Sequence, residues 1–222
     1  MREVRGFEYV VSAGKSVQSP CIYYMGLPQE LPEMEKLLNE LDCTVVYVVI
    51  DDWDNQLTPW PAKGLYRSGE DFKGEAPKFL QTLLNDLIPA IEAVEGLAPS
   101  HRAIAGYSLA GLFATYAFAN CDTFECVASM SGSFWYEGWV DYVTSLKLNK
   151  KGCSAFVSLG DKERKAKNKI MRTVQENTDI TIRALEDWGV NVQHHLVPGG
   201  HFDNVIERVS EGLTALAAML QR

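Results

Sequence analysis

The sequence predicts an α/β fold in which a mostly parallel, doubly wound sheet carries helices on both faces. Hydrophobic runs of strand length alternate with stretches of helical periodicity along the whole chain. Several runs are continuously apolar, as in Val45–Ile50. Such runs are typical of parallel strands that are buried on both faces, because a half-exposed antiparallel strand would alternate apolar and polar residues.

Each element can be assigned from its own pattern. The helix expected from Pro77 to Glu95 has a wide apolar stripe, with Pro89 predicted to kink it or end it early. The C-terminal helix is expected to begin after Asp203, which would serve as its N-cap. The expected strands are Glu8–Ser12, Cys21–Met25, Thr44–Ile50, Arg102–Ala105, Glu125–Met130, Ser154–Leu159 and Asn191–Val197.

Length and composition limit the classes of protein to consider. With 222 residues, 46% of them hydrophobic, we expect a single domain over residues 1–222. The net charge of −8 argues against nucleic-acid or anionic-membrane partners. No signal peptide or membrane span is expected. The cysteines are odd in number and lack C-x-x-C spacing, which favours buried thiols in a cytoplasmic protein; they are Cys21, Cys43, Cys121, Cys126 and Cys153.

Two connections are longer than a doubly wound fold requires, and both are rich in aromatic residues. They run from Asp51 to Glu75 and from Ser131 to Gly152, and each leaves the carboxyl end of a strand, where open α/β sheets bind ligands. The second holds at most one helix, Val140–Leu148, so no large cap domain is expected. The residues expected to form a substrate-binding wall are Trp53, Trp60, Trp135 and Tyr107.

The segment Gly106–Gly111 has the layout of a nucleophile elbow. It joins a predicted strand to a predicted helix, and Ser108 has a small residue two positions to either side, Gly106 and Ala110. Such a turn holds the serine in a strained conformation that exposes its hydroxyl at the carboxyl end of the sheet. The usual second glycine of G-x-S-x-G is Ala110 here, a difference of one methyl group. We therefore expect Ser108 to be a nucleophile.

A serine nucleophile needs a base, and His201 is the best candidate. It follows the last predicted strand in a Pro-Gly-Gly turn, at the same edge of the sheet as Ser108. His194 and His195 lie within that strand and point to opposite faces, so structural roles are expected for them. His101 precedes the strand that leads to Ser108 and would lie at the opposite end of the sheet.

The acid of the triad is expected in the turn after the preceding strand. Both Asp161 and Glu163 lie there, and the chain order of serine, acid and histidine is that of the α/β-hydrolases. We favour Glu163, because in many such hydrolases the acid lies three residues after the glycine that ends the strand, here Gly160. Asp161 is the alternative, and a Ser–His dyad is the third possibility.

Together these motifs resemble the putative-esterase family of α/β-hydrolases, which contains enterochelin esterases, feruloyl esterases and esterase D. The resemblance rests on Gly106–Gly111, on Ser131-Gly132-Ser133-Phe134-Trp135, on Gly160–Glu163 and on Gly199–His201. It implies the α/β-hydrolase fold, with Ser108 as nucleophile, His201 as base and an acid near Gly160. It leaves the substrate open.

The chemistry expected from these residues is hydrolysis of a carboxylic ester through an acyl-enzyme on Ser108. The oxyanion would be bound by the N–H of Leu109 and by a second N–H, from Gly26 or Leu27. No metal or cofactor is suggested by the residues. We expect a small-molecule or glycan-linked ester, aromatic or otherwise flat in part. The alternatives are an acyltransferase with the same triad and a non-catalytic binding protein of this fold.

Overall fold

An eight-stranded sheet organises the part of the chain that the computed structural model describes, residues 1–65 and 69–221. The strand order is β1-β2-β4-β3-β5-β6-β7-β8. The strand β2 runs antiparallel to both of its neighbours, whereas β4, β3 and β5 to β8 are mutually parallel. The strands are β1 (Arg2–Val4), β2 (Phe7–Ser12), β3 (Cys21–Gly26), β4 (Thr44–Val49), β5 (Arg102–Tyr107), β6 (Cys126–Met130), β7 (Ser154–Gly160) and β8 (Asn191–Val197).

All strands expected from the hydrophobic runs are confirmed, with ends that differ by two residues or fewer. The strand β1 was not expected, because it is short, largely exposed and polar at Arg2 and Glu3. It pairs with β2 at the edge of the sheet. A three-residue edge strand has too little buried surface to leave a periodic pattern in the sequence.

Helices cover both faces of the sheet, as predicted. Within β3, Ile22 and Tyr24 face the side covered by α1 and α8, while Tyr23 and Met25 face the side covered by α3 to α7. This alternation produces two cores, one on each side of the sheet. The helices are α1 (Leu31–Glu40), α2 (Trp53–Gln56), α3 (Ala76–Thr82), α4 (Ile88–Glu95), α5 (Leu109–Asn120), α6 (Trp139–Ser145), α7 (Val174–Asp187) and α8 (Val205–Met219).

The helix predicted from Pro77 to Glu95 forms, but it contains a wider turn that was not predicted. Between α3 and α4 the segment Leu83–Leu87 is a π-helix, and the N–H of Ile88 donates to the carbonyl of Leu83 five residues earlier. Pro89, which lacks an N–H, follows this turn directly. The wider turn accommodates the proline, so the helix continues to Glu95 instead of ending early.

The predicted N-cap of the C-terminal helix was wrong. The helix α8 begins at Val205, and its N-cap is Asn204, whose φ of 55° lies in the left-handed region. The carboxylate of Asp203 instead accepts a hydrogen bond from the N–H of Gly200, at 2.7 Å. Asp203 therefore stabilises the turn that precedes the helix.

The two long connections pack against each other at the carboxyl edge of the sheet. The indole N–H of Trp60 donates to the carbonyl of Glu137, and the hydroxyl of Tyr136 donates to the carbonyl of Trp60. Residues 66–68 of the first connection lie outside the described part. The second connection carries α6, which has seven residues, and no large cap domain is seen among the described residues.

Two further expectations concern cysteines and membranes. Among the described residues no disulfide joins any of the five cysteines, and three of them, Cys21, Cys43 and Cys126, are buried. In residues 1–65 and 69–221, no helix is both long and apolar enough to cross a membrane.

Candidate active site

Ser108 lies in the sharp turn between β5 and α5. Its backbone has φ 58° and ψ −122°, a conformation that costs a residue with a side chain about 1–3 kcal/mol. Hydrogen bonds on both sides hold this conformation, because the N–H of Ser108 donates to Met130 and its carbonyl accepts from Ser133. The turn therefore has the strained geometry that the sequence pattern predicts for an elbow.

The small residues around Ser108 are required by close packing. A Cβ added at Gly106 would lie 2.4 Å from the backbone carbonyl carbon of Ala110, so no side chain fits there. A Cβ at Gly111 would lie 2.8 Å from the hydroxyl of Ser129. Ala110 itself is fully buried in the core, which explains why a methyl group is accepted at this position.

We expect Gly106→Ala to lower the free energy of unfolding by about 3 kcal/mol, because the methyl group would overlap backbone atoms that cannot move without opening the elbow. Urea denaturation monitored by circular dichroism measures the change. Ala110→Gly is the matched control, since it removes a methyl group from the same contact and should cost about 1 kcal/mol or less. Equal stability of Gly106→Ala and the wild type would contradict this account of the turn.

Ser108, His201 and Glu163 form a continuous chain of hydrogen bonds. The Ser108 Oγ lies 2.9 Å from His201 Nε2, and His201 Nδ1 lies 2.8 Å from Glu163 Oε2. These distances suit a serine hydroxyl that donates to a neutral imidazole, whose other N–H donates to the carboxylate. Most of the surface of His201 is covered, and Glu163 is buried.

Asp161, the alternative acid, lies elsewhere in the same turn. Its Oδ1 accepts the N–H of Gly199 at 2.8 Å. The carbonyl of Gly199 in turn accepts the N–H of Lys162. Asp161 thus joins the turn after β7 to the turn that carries His201, without contacting the imidazole.

Glu163 is held ionised by its surroundings. Burial by itself would raise the pKa of this carboxyl, but the hydrogen bond and charge of His201 outweigh it, together with bonds from the N–H of Gly160 and the hydroxyl of Ser131, so the pKa lies below its usual range. The bonds from Gly160 and Ser131 are both 2.8 Å long and both reach Oε1. Oε2 remains directed at His201, which fixes the orientation of the imidazole.

Arg208 is the functional residue that the sequence analysis missed. Its side chain, 2% exposed, donates from Nη1 to Glu163 Oε1 at 3.1 Å and to the hydroxyl of Ser131 at 3.0 Å. Its Nη2 donates to the carbonyls of Pro198 and Gly200, in the turn that precedes His201. The sequence contained one indication of this role. Arg208 lies three residues after Val205 on the apolar side of α8, and a charged residue that is buried there needs a partner of opposite charge.

We expect Arg208→Met to lower the free energy of unfolding by about 3 kcal/mol, because it leaves the buried carboxylate of Glu163 without its guanidinium partner. Urea denaturation monitored by circular dichroism measures the change. Arg208→Lys is the control that retains a cation at this position and should lose less. Unchanged stability of Arg208→Met would contradict the importance of this ion pair.

A cavity of about 410 Å³ opens in front of Ser108, and we refer to it as the nucleophile cavity. Its aromatic walls come from both long connections, through Trp53 and Phe72 of the first and Trp135 of the second. Leu109 also lines it, and as the first residue of α5 it has an N–H without an acceptor inside the helix.

Two of the residues expected to line the substrate-binding wall, Trp60 and Tyr107, do not line the nucleophile cavity. Trp60 is absent from the lining of the nucleophile cavity, and its ring packs against Tyr136 and Tyr142 to join the two connections. Tyr107 is buried on the sheet face that carries α8, and its hydroxyl donates to the carbonyl of His201 at 2.5 Å. Tyr107 is the last residue of β5, and from the α8 side of the sheet it supports the turn that carries His201.

The expected second oxyanion donor is not brought to this cavity. The N–H of Leu27 donates to the carboxylate of Glu30 at 3.3 Å, and the carbonyl of Leu27 accepts from the hydroxyl of Tyr47. Neither Gly26 nor Leu27 lines the nucleophile cavity. These bonds hold Leu27 against Glu30 and Tyr47, and the sequence pattern did not indicate either contact.

The other histidines have partners away from Ser108. His101 contacts Glu125 at the amino end of β5. His195 contacts Glu211 of α8, and His194 is close enough to Asp179 of α7 for their charges to interact. The two neighbours in β8 therefore face opposite sides of the sheet, as predicted.

Comparison with known families identifies the chain. The model of the family described as "Putative esterase" matches residues 28–204, which cover most of the chain and include the elbow, the acid and the histidine. The chain belongs to this esterase family. The resemblance inferred from the motifs is thereby confirmed.

The chain is also similar to individual proteins. The uncharacterized protein YbbA of Bacillus subtilis is 30% identical over 138 residues, which are 61% of this chain and 55% of that protein. The chain thus matches just over half the length of this curated relative. An IroE-like serine hydrolase of Shewanella oneidensis superposes with a TM-score of 0.77 at 17% identity, over 96% of this chain and 76% of the other.

A second solved structure, siderophore hydrolase EstA of Aspergillus nidulans, superposes with a TM-score of 0.68 at 15% identity, over 96% of this chain and 90% of the other. At these identities the structural likeness concerns the fold. Together with the sheet topology, it shows that this esterase-family chain has the α/β-hydrolase fold.

Proposed function

We propose that this protein hydrolyses carboxylic esters through an acyl-enzyme on Ser108, with His201 as general base and Glu163 as the acid. The observation that carries the proposal is the hydrogen-bonded chain from Ser108 Oγ through the His201 imidazole to Glu163, with distances of 2.9 and 2.8 Å. Membership of an esterase family supports the same chemistry.

The reaction would proceed in two stages. His201 Nε2 takes the proton of Ser108 as Oγ attacks the ester carbonyl, and the resulting tetrahedral intermediate expels the alcohol, which receives that proton from His201. In the second stage His201 takes a proton from water, which attacks the acyl-enzyme. The acid is then released, and Ser108 recovers its proton. Glu163 stabilises the imidazolium in both stages.

The N–H of Leu109 is the proposed oxyanion donor. It lies one residue after the nucleophile at the start of α5, where helical N–H groups are directed at the site and negative charge is favoured. Removal of one such donor typically costs about 2.7–4 kcal/mol in the barrier. A second donor from Gly26 or Leu27 remains a proposal, and for Leu27 it would require release of its N–H from Glu30.

Substitution of the three triad residues tests the function. We expect Ser108→Ala to remove turnover of p-nitrophenyl butyrate and labelling by a fluorophosphonate probe, because the variant lacks the hydroxyl that lies 2.9 Å from His201 Nε2. We expect Glu163→Gln to lower kcat by about 10³–10⁴-fold, since the imidazole would lose its orientation and charge partner.

Asp161→Asn is the matched control, because Asp161 lies two residues away in the same turn but contacts a backbone N–H instead of the imidazole; it should change kcat less than about tenfold. Folding of each variant is checked by circular dichroism. Full activity of Ser108→Ala would refute the mechanism. Labelling of the wild type without hydrolysis would direct the search to alcohol acceptors and acyl transfer.

The aromatic walls of the nucleophile cavity favour a substrate with a flat aromatic part, such as a feruloyl or catecholate ester. We expect Trp53→Ala to lower kcat/KM for methyl ferulate about tenfold and for p-nitrophenyl acetate about twofold or less, because only the larger acyl group reaches the indole. Trp53→Phe is the control that keeps an aromatic ring. Equal losses on both esters would contradict aromatic recognition.

A further inference from the structure

A second cavity, of about 560 Å³, also borders His201. It shares Trp135, Met171, His201 and Phe202 with the nucleophile cavity, but it is not lined by Ser108 or Leu109. Three lysines line it, Lys162, Lys165 and Lys167, and we refer to it as the lysine cavity.

The lysine cavity is locally cationic in a chain that is acidic overall. Between residues 162 and 172 there are six lysines and arginines and one acidic residue, although the chain carries a net charge of −8. Among residues 1–65 and 69–221, none of the three lysines that line the cavity forms an ion pair. Their charges are therefore available to a ligand.

The carboxylates near this cavity do not cancel that charge. Glu163 is buried and is held by both His201 and Arg208. Asp161 and Asp203 do not line the cavity, and their carboxylates are held by the N–H groups of Gly199 and Gly200, respectively. Among the described residues, the lining of the nucleophile cavity is different, because it includes Asp54 and Glu70 and no lysine. In the part of the chain that the structure describes, the linings of the two cavities therefore differ in the sign of their charge.

The position of the lysine cavity relative to the triad suits the alcohol part of an ester. The leaving oxygen must be within reach of His201, which protonates it, whereas the carbonyl must lie near Ser108 and the N–H of Leu109. The lysine cavity borders His201 but neither Ser108 nor Leu109, so of the two parts of an ester it suits the alcohol part and not the carbonyl. Its apolar surface includes Phe202, which is 85% exposed and lies edge-on to the His201 ring at 4.9 Å.

We propose that the lysine cavity binds a negatively charged leaving group, so that the enzyme prefers esters whose alcohol part carries a carboxylate or another anion on a flat apolar body. Lys162, Lys165 and Lys167 would attract the anion, and Phe202 and Trp135 would contact the body. This inference rests on the proposed esterase function. It adds that the substrate is negatively charged and that the charge lies in its alcohol part.

The test compares esters that differ in charge at one position. Butyryl esters of 3-hydroxybenzoate and 3-hydroxybenzamide have the same acyl group and nearly the same shape, but only the first has an anionic alcohol part. We expect the wild type to prefer the anionic ester about tenfold in kcat/KM. The phenyl ester of succinate places the anion in the acyl part instead and should be disfavoured against phenyl butyrate, because Asp54 and Glu70 line that side.

Charge reversal then identifies the residues. We expect the triple variant K162E/K165E/K167E to lose about tenfold in kcat/KM on the anionic benzoate ester, mainly through KM, and less than about twofold on the neutral benzamide ester. K78E/K147E/K151E is the matched control with the same change in net charge; these three lysines are exposed and line neither cavity, so both esters should be turned over as by the wild type.

The outcomes separate this inference from the proposed function. Ser108-dependent hydrolysis with no preference between the two alcohols, or equal losses in both triple variants, would overturn the anion site and leave the esterase intact. Absence of Ser108-dependent hydrolysis for every ester would overturn the function itself. If the triple variant does not fold, the effect of salt on the wild type tests the proposal instead. Added KCl should reduce kcat/KM for the anionic ester and leave kcat/KM for the neutral ester unchanged. An equal effect of salt on both esters would reject the proposal.

Discussion

The buried carboxylate of Glu163 is the group on which the arrangement of the site depends. One oxygen faces His201, and the other is surrounded by Arg208, Ser131 and the N–H of Gly160. These contacts tie together the ends of β6, β7 and β8 and the helix α8. A buried carboxylate is costly unless it is paired and hydrogen-bonded, so the contacts that satisfy it also fix the imidazole relative to Ser108.

The sequence predicted those features that depend on local pattern. The strands, the elbow and the positions of Ser108 and His201 follow from hydrophobic runs, glycines and chain order, which act over a few residues. The choice between Asp161 and Glu163 rested on the number of residues that separate the acid from Gly160. In the structure it is Glu163 that contacts the imidazole. Residues that act through distant contacts escaped prediction, because the partners of Arg208 lie up to 101 positions away.

Aromatic residues in the two long connections illustrate the same limit. Composition indicated that these connections line a cleft, but it did not distinguish Trp53 and Trp135, which do, from Trp60, which joins the connections to each other. Only the folded structure shows which aromatic side chains line the cavity and which hold the two connections together. The difference in charge between the described linings of the two cavities likewise arises from segments more than 90 residues apart, at Glu70 and Lys162.

The strained backbone of Ser108 has a consequence for the stability of the fold. Glycine adopts positive φ without the steric cost that serine bears, so a glycine at this position would relieve strain while removing the nucleophile. The fold alone would therefore favour glycine at this turn. A serine here lowers the stability of the fold, a cost that is expected where a residue serves the proposed reaction and not the folded structure.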